Sequence, residues 1–389
     1  MSSRTRLIVM SISAPVIAFA IVGGFLGKVM AGQATPYQHL KIFDDVVSMI
    51  SSQYVEEVNI DKVMHGAMHG LADGLDPDSA YLTPAQVKQV EAGTPLQSGG
   101  VGLELTRQYY LRVIAARDNS PAAKAGLRTG DYIRAINDMP TREMSVWEGA
   151  RALRGAPGTK VSVTVIRGNA ADPHVVELVR QTEAPSVVSH RVAAPGVGYV
   201  RIAAIGRETA DQVKSSVADA VKSGAGKLIV DVRRVSNGSP EDGLAIARLF
   251  VAKGTLAMRE TKTGPRETIA ADAGDGSITL PAVVLIDTGT SAAAEVFASA
   301  LAGNKRAELI GEHTIGRASE QKLIKLPDGA GLWLSTIRYL TPAGTSLHEK
   351  GLEPTIVVDE PDVEFGQPAP TGDPILEKAV EHVSAKKAA

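Results

Sequence analysis

The chain has 389 residues, a formal net charge of −2 at neutral pH and no cysteine. This length allows two or three domains with buried cores, and 44% hydrophobic with 22% charged residues is typical of a globular protein. The near-neutral charge, without a long basic run, argues against nucleic acid as a partner. The lack of cysteine excludes disulfides and thiolate metal sites, and the 8 histidines show no HExxH spacing, so we expect neither a metal nor a cofactor.

The N-terminal segment is long and apolar. Residues Leu7–Gly27 are apolar or small, Arg4 and Arg6 precede them, and Lys28 follows. A run of this length spans a bilayer and exceeds the usual apolar core of a signal peptide. We therefore expect a single-pass anchor in the inner (cytoplasmic) membrane, with the bulk of the chain in the periplasm by the positive-inside rule. The alternative is a signal peptide that is cleaved near residues 32–34.

Two amphipathic helices are predicted next. Apolar residues recur on one helical face from Tyr37 to Glu57 and again from about Ile60 to Leu75. The second helix should end at Asp76-Pro77, because proline disfavours helical backbone at the residue before it. His65 and His69 lie one turn apart on this helix, and we interpret them as surface residues rather than metal ligands.

A β-rich segment begins at the glycine-rich turn Gly99-Gly100-Val101-Gly102 and continues through Ser120–Asp131. The SPAAKAGL and RTGD blocks of that stretch closely resemble a PDZ domain of the bacterial protease type, ending near Gln181. The resemblance implies that Gly99, Gly100, Val101 and Gly102 offer N–H groups to a C-terminal carboxylate while the bound peptide adds a strand to the sheet edge. We therefore expect polypeptide C-termini as partners. The alternative is a PDZ domain that only packs on its neighbour.

From residue 198 the pattern changes to alternating strands and helices. Buried strands are predicted at Gly198–Ile202 and Lys227–Val232, and a helix is predicted at Glu241–Val251, which together indicate an α/β layer. A further apolar run, Val283–Ile286, is followed by a turn and by a helix from Ala292. Free backbone N–H groups at such a strand–turn–helix junction can stabilise a developing oxyanion. The junction is therefore a candidate position for a nucleophile.

A series of motifs follows this junction. It comprises GEHTIGR at 311–317, Gln321, RYLTPAG at 338–344 and GLEP at 351–354. With LDPDSAYL at 75–82, the series resembles the carboxy-terminal processing (tail-specific) peptidases over about residues 37–360. The resemblance implies serine-type proteolysis of protein substrates by a Ser–Lys pair, without a cofactor.

Both catalytic positions depart from that family's pattern. When Glu295 and Gln321 are matched to the family's motifs, its serine falls on Ala292 and its lysine base falls on Arg317. Alanine carries no nucleophile, and arginine cannot act as a base because its pKa stays above about 12 in proteins.

Two further elements differ as well. The family's oxyanion turn has two adjacent glycines, and residues 231–238 of this chain keep only Gly238. The family's LDPHSSYL motif has histidine at the position of Asp78, for which we expect a structural role.

These departures leave two interpretations. The first is a membrane-anchored, exported homologue that binds polypeptide C-termini and has a degenerate proteolytic site. The second is an active serine endopeptidase whose nucleophile has moved to Ser291, with His313, Glu320 or His348 as its base. As a plain helix cap, Ser291 would contribute about 1 kcal/mol instead.

The predicted fold is a multidomain α/β (α+β) chain with five segments, and the sequence leaves the oligomeric state open. The segments are a membrane anchor or signal segment at 1–34, a helical segment at 35–96, a PDZ β-domain at 97–182, a peptidase-like α/β core at 183–364 and a tail at 365–389.

Overall fold

The fold is taken from a computed structural model, which describes residues 36–93, 98–168, 172–182, 188–361, 363–367 and 372–385. The chain divides into two units, Met1–Met68 and His69–Ala389. The five predicted segment boundaries remain predictions. The described residues show a mixed α/β protein with a PDZ domain and a second, larger α/β part.

The prediction of a single-pass location in the inner membrane is contradicted. Among the described residues, no helix combines the length and the apolar composition needed to cross a bilayer. The longest helix here, α1 (Pro36–Gln53), carries Lys41, Asp44 and Asp45, whose charges would be costly to place in hydrocarbon. The segment Leu7–Gly27, on which the prediction was based, lies outside the described residues.

The predicted helices after this segment are present as α1 and α2 (Ile60–Asp73). Helix α2 begins where the Asn59 side chain accepts a hydrogen bond from the N–H of Lys62 at 3.0 Å, a capping arrangement that satisfies one free donor. It ends before Asp76-Pro77, as predicted. The short strand β1 (Ala80–Leu82) and helix α3 (Pro84–Glu91) follow.

The PDZ domain is built on an antiparallel sheet that buries one face against two helices. Its principal strands pair in the order β3-β4-β5-β7-β8, with β6 beside β5, while β2 pairs with β9. Apolar side chains from these strands and helices, including Leu111, Ile133 and Val163, form one buried core. The elements are β2 (Gly99–Gly100), β3 (Leu103–Gln108), β4 (Tyr110–Ala116), α4 (Pro121–Lys124), β5 (Tyr132–Ile136), β6 (Met139–Pro140), α5 (Val146–Leu153), β7 (Lys160–Ile166), β8 (His174–Val179) and β9 (Gln181–Thr182).

The larger part contains a six-stranded sheet in the order β10-β11-β12-β15-β16-β19. Strands β11, β12, β15, β16 and β19 are parallel, whereas β10 is antiparallel to β11. Leu228, Ile229 and Val230 are all fully buried, because the middle strands of a parallel sheet are covered on both faces. The elements are β10 (Val188–Ala194), β11 (Val197–Ile202), α6 (Thr209–Lys222), β12 (Lys227–Asp231), α7 (Pro240–Phe250), β15 (Ala282–Ile286), α8 (Ala293–Gly303), β16 (Ala307–Gly311), β19 (Ile356–Val357) and α9 (Pro374–Ala385).

A second sheet, ordered β1-β18-β13-β14 with β17 on β18, completes this part. Strand β1, from the motif at 75–82, pairs with β18, so the motif's turn lies beside the larger part. The C-terminal helix α9 buries Ile375, Ala379 and Val383 against the parallel sheet, which shows docking rather than fraying. The strands of this sheet are β13 (Thr255–Thr261), β14 (Glu267–Ala270), β17 (Ser319–Lys325) and β18 (Gly331–Leu340).

Candidate functional site

The candidate site lies where β12 and β15 end. These parallel strands are neighbours, so the turns that follow them meet at one edge of the sheet, where α/β proteins place ligands. The N–H of Ser291 donates to the Val235 carbonyl at 2.9 Å, and the N–H of Arg234 donates to the Asp287 carboxylate at 2.8 Å. The two turns are thus fixed to each other through their backbones.

Ala292 stands at the strand–turn–helix junction with an unusual backbone. Its φ is 52° and its ψ is −117°, a region that residues with a Cβ rarely occupy and that costs roughly 1–3 kcal/mol. Such strained turns present a nucleophile at the head of a helix in other hydrolases. Ala292 has the geometry of that position, and its side chain is a methyl group.

Ser291, the predicted alternative nucleophile, points into the protein. Its side chain is 0% exposed, and its Oγ has no hydrogen-bond partner within the described residues. The three bases considered for it bind elsewhere. Glu320 accepts a hydrogen bond from the Tyr339 hydroxyl at 2.5 Å, His313 lies 3.6 Å from Glu353 and His348 lies 4.0 Å from Asp76.

Glu295 connects Ala292 to Arg317. One oxygen of its carboxylate accepts from the backbone N–H groups of Ala292 and Arg317 at 3.1 and 2.8 Å. The other accepts from the Thr314 hydroxyl at 2.6 Å and the Gly316 N–H at 2.7 Å. Burial raises the pKa of Glu295 to about 7, against the lowering effect of these hydrogen bonds. The N–H of Ala292 is consequently bound to a carboxylate in this structure.

Arg317 forms a nearly buried ion pair with Asp78. Its Nε donates to one Asp78 oxygen at 3.0 Å and its Nη2 donates to the other. The side chains are 19% and 9% exposed. Burial alone would lower the pKa of Arg317, but Asp78 outweighs it and raises that pKa. The two positions at which the chain departs from the motifs, 78 and 317, therefore face each other and carry opposite charges.

Gln321 belongs to a hydroxyl network on the adjacent strands. Its Nε2 donates to Ser319 Oγ at 3.0 Å and to Ser335 Oγ at 3.2 Å. Ser335 in turn donates to Asp76 at 3.2 Å, and Asp76 also accepts the N–H of Asp78 at 2.9 Å. The structure thus brings Gln321 to the same loop that supplies Asp78.

Gly238 lies in the turn after β12, with φ of 93°. A Cβ at this position would lie 2.9 Å from the backbone oxygen of Ile205, so close packing requires glycine. The Asn237 side chain ties the same turn to the N–H and C=O of Ile205 at 3.1 and 2.9 Å. These contacts give Gly238 a packing role, and its predicted oxyanion role remains a prediction.

A buried charge cluster at the ends of β11 and β12 was not predicted from the sequence. Asp231 is 1% exposed and Arg233 is 3% exposed, and they bind each other at 2.7 Å. Burial raises the pKa of Asp231, but Arg201 and Arg233 outweigh it and hold that pKa far below its ordinary value. Arg233 also binds Asp373, just ahead of α9, at 2.7 Å. The cluster anchors the C-terminal helix beside the candidate site.

The predicted carboxylate-binding turn leads into β3. The carbonyls of Val101 and Gly102 accept hydrogen bonds from the N–H groups of Ala122 and Arg117 at 3.0 and 2.8 Å. In a trans peptide the next N–H points opposite to the carbonyl, so the N–H groups of Gly102 and Leu103 face away from these partners. Gly102 has φ of 75°, as expected where successive N–H groups form an anion-binding concavity. All residues of the 99–102 turn are buried.

A PDZ domain joined to an α/β core, with a nucleophile-type turn at the ends of parallel strands, defines a peptidase-like protein that handles polypeptides. The model of peptidase family S41 matches residues 196–358, and the PDZ domain model matches residues 112–167. The carboxy-terminal-processing protease of Bartonella bacilliformis is 30% identical over 360 residues, which cover 89% of this chain and 83% of that protein. This chain belongs to the carboxy-terminal processing proteases of family S41, as the motifs predicted.

Two further relatives agree with this assignment. The carboxyl-terminal-processing protease of Synechocystis sp. is 32% identical over 299 residues, covering 75% of this chain and 70% of that protein. The solved structure of a photosystem II D1 C-terminal processing protease superimposes with a TM-score of 0.67 at 27% identity, covering 84% of this chain and 94% of that chain.

Proposed function

We propose that this chain binds polypeptide C-termini through its PDZ domain and does not hydrolyse them. It is, on this proposal, a member of the family in which the peptidase core has become a binding and regulatory scaffold. The observation that carries the proposal is the ion pair between Arg317 and Asp78.

The pair is incompatible with the chemistry of a Ser–Lys site. A general base must release its proton near neutral pH in order to accept one from serine. Arginine does not, and the neighbouring Asp78 raises its pKa still further. Because the residues at 78 and 317 satisfy each other's charge, the two departures support each other as a matched pair.

The position of the side chains at the turn supports the same conclusion. Ala292 provides no attacking oxygen, and its N–H is bound to Glu295. Ser291 is fully buried, so an incoming peptide cannot reach its hydroxyl without rearrangement of the turn. The Ser291 alternative has no supporting observation, whereas the buried side chain favours a packing role.

The geometry of the PDZ turn supports the binding half of the proposal. The N–H groups of Gly102 and Leu103 point away from their carbonyl partners and are the donors that a peptide carboxylate requires. A carboxylate bound by N–H groups makes charge-assisted hydrogen bonds, which are roughly twice as strong as neutral ones. We therefore assign recognition to the free carboxylate and the first backbone positions of a polypeptide C-terminus.

The proposal is tested by binding and labelling on one preparation of the full chain. Free-acid peptides with apolar C-termini are titrated by calorimetry beside the same peptides with amidated ends, and the protein is incubated with a fluorophosphonate probe. We expect the free acids to bind, the amides to lose most of the affinity, and the probe to leave the protein unlabelled. Equal binding of acids and amides would refute carboxylate recognition. Labelling that disappears in Ser291→Ala would refute the loss of hydrolysis.

A further inference from the structure

One backbone acceptor on the PDZ domain faces the open side of its sheet. Strand β3 stands at the end of the strand order, so one of its sides has no strand neighbour in the described sheet. Leu105 of β3 is opposite Val113 of β4. Val113 directs its N–H to the Asp131 carbonyl and its C=O to the Gly130 N–H, both at 2.8 Å on the far side. Opposed residues of an antiparallel pair either bond each other or both face away, so the C=O of Leu105 points to the open edge.

Arg317 occupies this acceptor. Its Nη1 donates to the Leu105 carbonyl at 2.9 Å, while Nε and Nη2 of the same guanidinium remain on Asp78. The planar fork of arginine allows both contacts at once, which the single ammonium of a lysine would not reproduce in the same geometry. The side chain that replaces the family's base therefore links the larger part of the chain to the PDZ edge.

This contact is part of a wider docking of the two domains. Asp118, which follows β4, binds Arg201 at 2.9 Å and Arg234 at 3.5 Å. A Cβ on Gly289, in the turn before Ala292, would lie 2.5 Å from the carbonyl of Ile114 in β4. The PDZ domain thus rests directly on the strand–turn–helix junction, and Arg317 is held in place rather than extended into solvent.

A peptide that adds a strand to a PDZ edge bonds the main-chain groups of that edge. On β3, the C=O of Leu105 is such a group, and the guanidinium of Arg317 now fills the space in front of it. We propose that Arg317, anchored by Asp78, is a latch on the β3 edge: a polypeptide C-terminus and Arg317 compete for Leu105, and peptide binding releases the PDZ domain from the larger part. This inference rests on the proposed recognition of C-termini and assigns a regulatory role to the substituted base.

The latch is tested with Asp78→Asn/Arg317→Met, which removes both charges together and leaves no buried charge unpaired. The control is Arg248→Met/Asp275→Asn, which removes a partly buried ion pair of 2.8 Å on helix α7. Circular dichroism verifies folding of each protein. Hydrogen–deuterium exchange of residues 103–108 without peptide, and anisotropy of a fluorescein-labelled peptide ending in Leu-Ala-Ala, free or amidated, are the two readouts.

We expect faster exchange of residues 103–108 and at least about tenfold tighter binding of the free-acid peptide in the latch variant, because a hydrogen bond from a charged donor no longer competes. The control should match wild type in both readouts. Equal or weaker peptide binding by the latch variant, with the free acid still preferred over the amide, would overturn the latch and leave C-terminus recognition intact. No discrimination between acid and amide in any protein would overturn both proposals, and unchanged exchange would show that Arg317 does not hold the edge.

Discussion

Restoration of the family's Ser–Lys pair should fail unless Asp78 is changed as well. The variant Ala292→Ser/Arg317→Lys supplies a nucleophile at the strained turn and a lysine at the base position. Asp78 would then lie beside the introduced ammonium, as it now lies 3.0 Å from Arg317 Nε. An opposite charge at this distance raises a lysine pKa by roughly 1–3 units from about 10.4.

The rate consequence follows from that shift. At pH 7.5 a lysine with a pKa of about 11–13 is neutral in only about one molecule in 10³·⁵–10⁵·⁵, whereas a working base has a pKa near the operating pH. We therefore expect the double variant to be slower by at least about 10³-fold than Asp78→His/Ala292→Ser/Arg317→Lys, in which the carboxylate is replaced by the histidine of the family's motif.

The assay combines fluorophosphonate labelling with cleavage of β-casein, an unstructured substrate, at several pH values. The matched control is Asp78→His/Arg317→Lys, which retains Ala292 and should not label. Comparable activity of the double and triple variants would refute the reasoning about Asp78. Activity of the double variant with a base pKa near 7 in its pH profile would show that the carboxylate does not control the introduced lysine.

Two predictions concern stability, measured by urea unfolding. Burial raises the folded-state pKa of Glu295 to about 7 from 4.5, so this group favours folding most below about pH 4.5, and its contribution is lost as the pH rises towards about 7. The loss is roughly 3 kcal/mol, and Glu295→Gln should flatten this part of the stability profile; an unchanged difference between pH 5 and pH 7 would contradict the assignment. Asp231→Asn should cost about 3–5 kcal/mol because it leaves Arg201 and Arg233 buried beside a neutral partner. A loss no larger than that of the exposed-pair variant Asp219→Asn would contradict it.

Much of the fold was predictable because its signals are local. The apolar runs Lys227–Val232 and Val283–Ile286 predicted the central strands, which the structure shows as Lys227–Asp231 and Ala282–Ile286. Doubly covered parallel strands leave continuous apolar sequence. The turn before Ala292 was predictable for the same reason, since a strand and a helix propensity meet there without a gap.

The decisive contacts of the site were not predictable, because they join distant positions. Asp78 and Arg317 are 239 residues apart, and Arg233 and Asp373 are 140 apart. Neither pairing has a sequence periodicity that would indicate it. The direction of the Ser291 side chain was equally open, because the residue before a helix is not held to helical geometry.

The backbone of Ala292 has a consequence for how relatives are compared. The kinked conformation that directs a nucleophile is retained here with a methyl group in its place. Superposition of main chains therefore records common descent, and it is blind to whether a bond can be broken. For kinship and chemistry to be told apart in this lineage, the side chains at 78, 292 and 317 must be read together as one character.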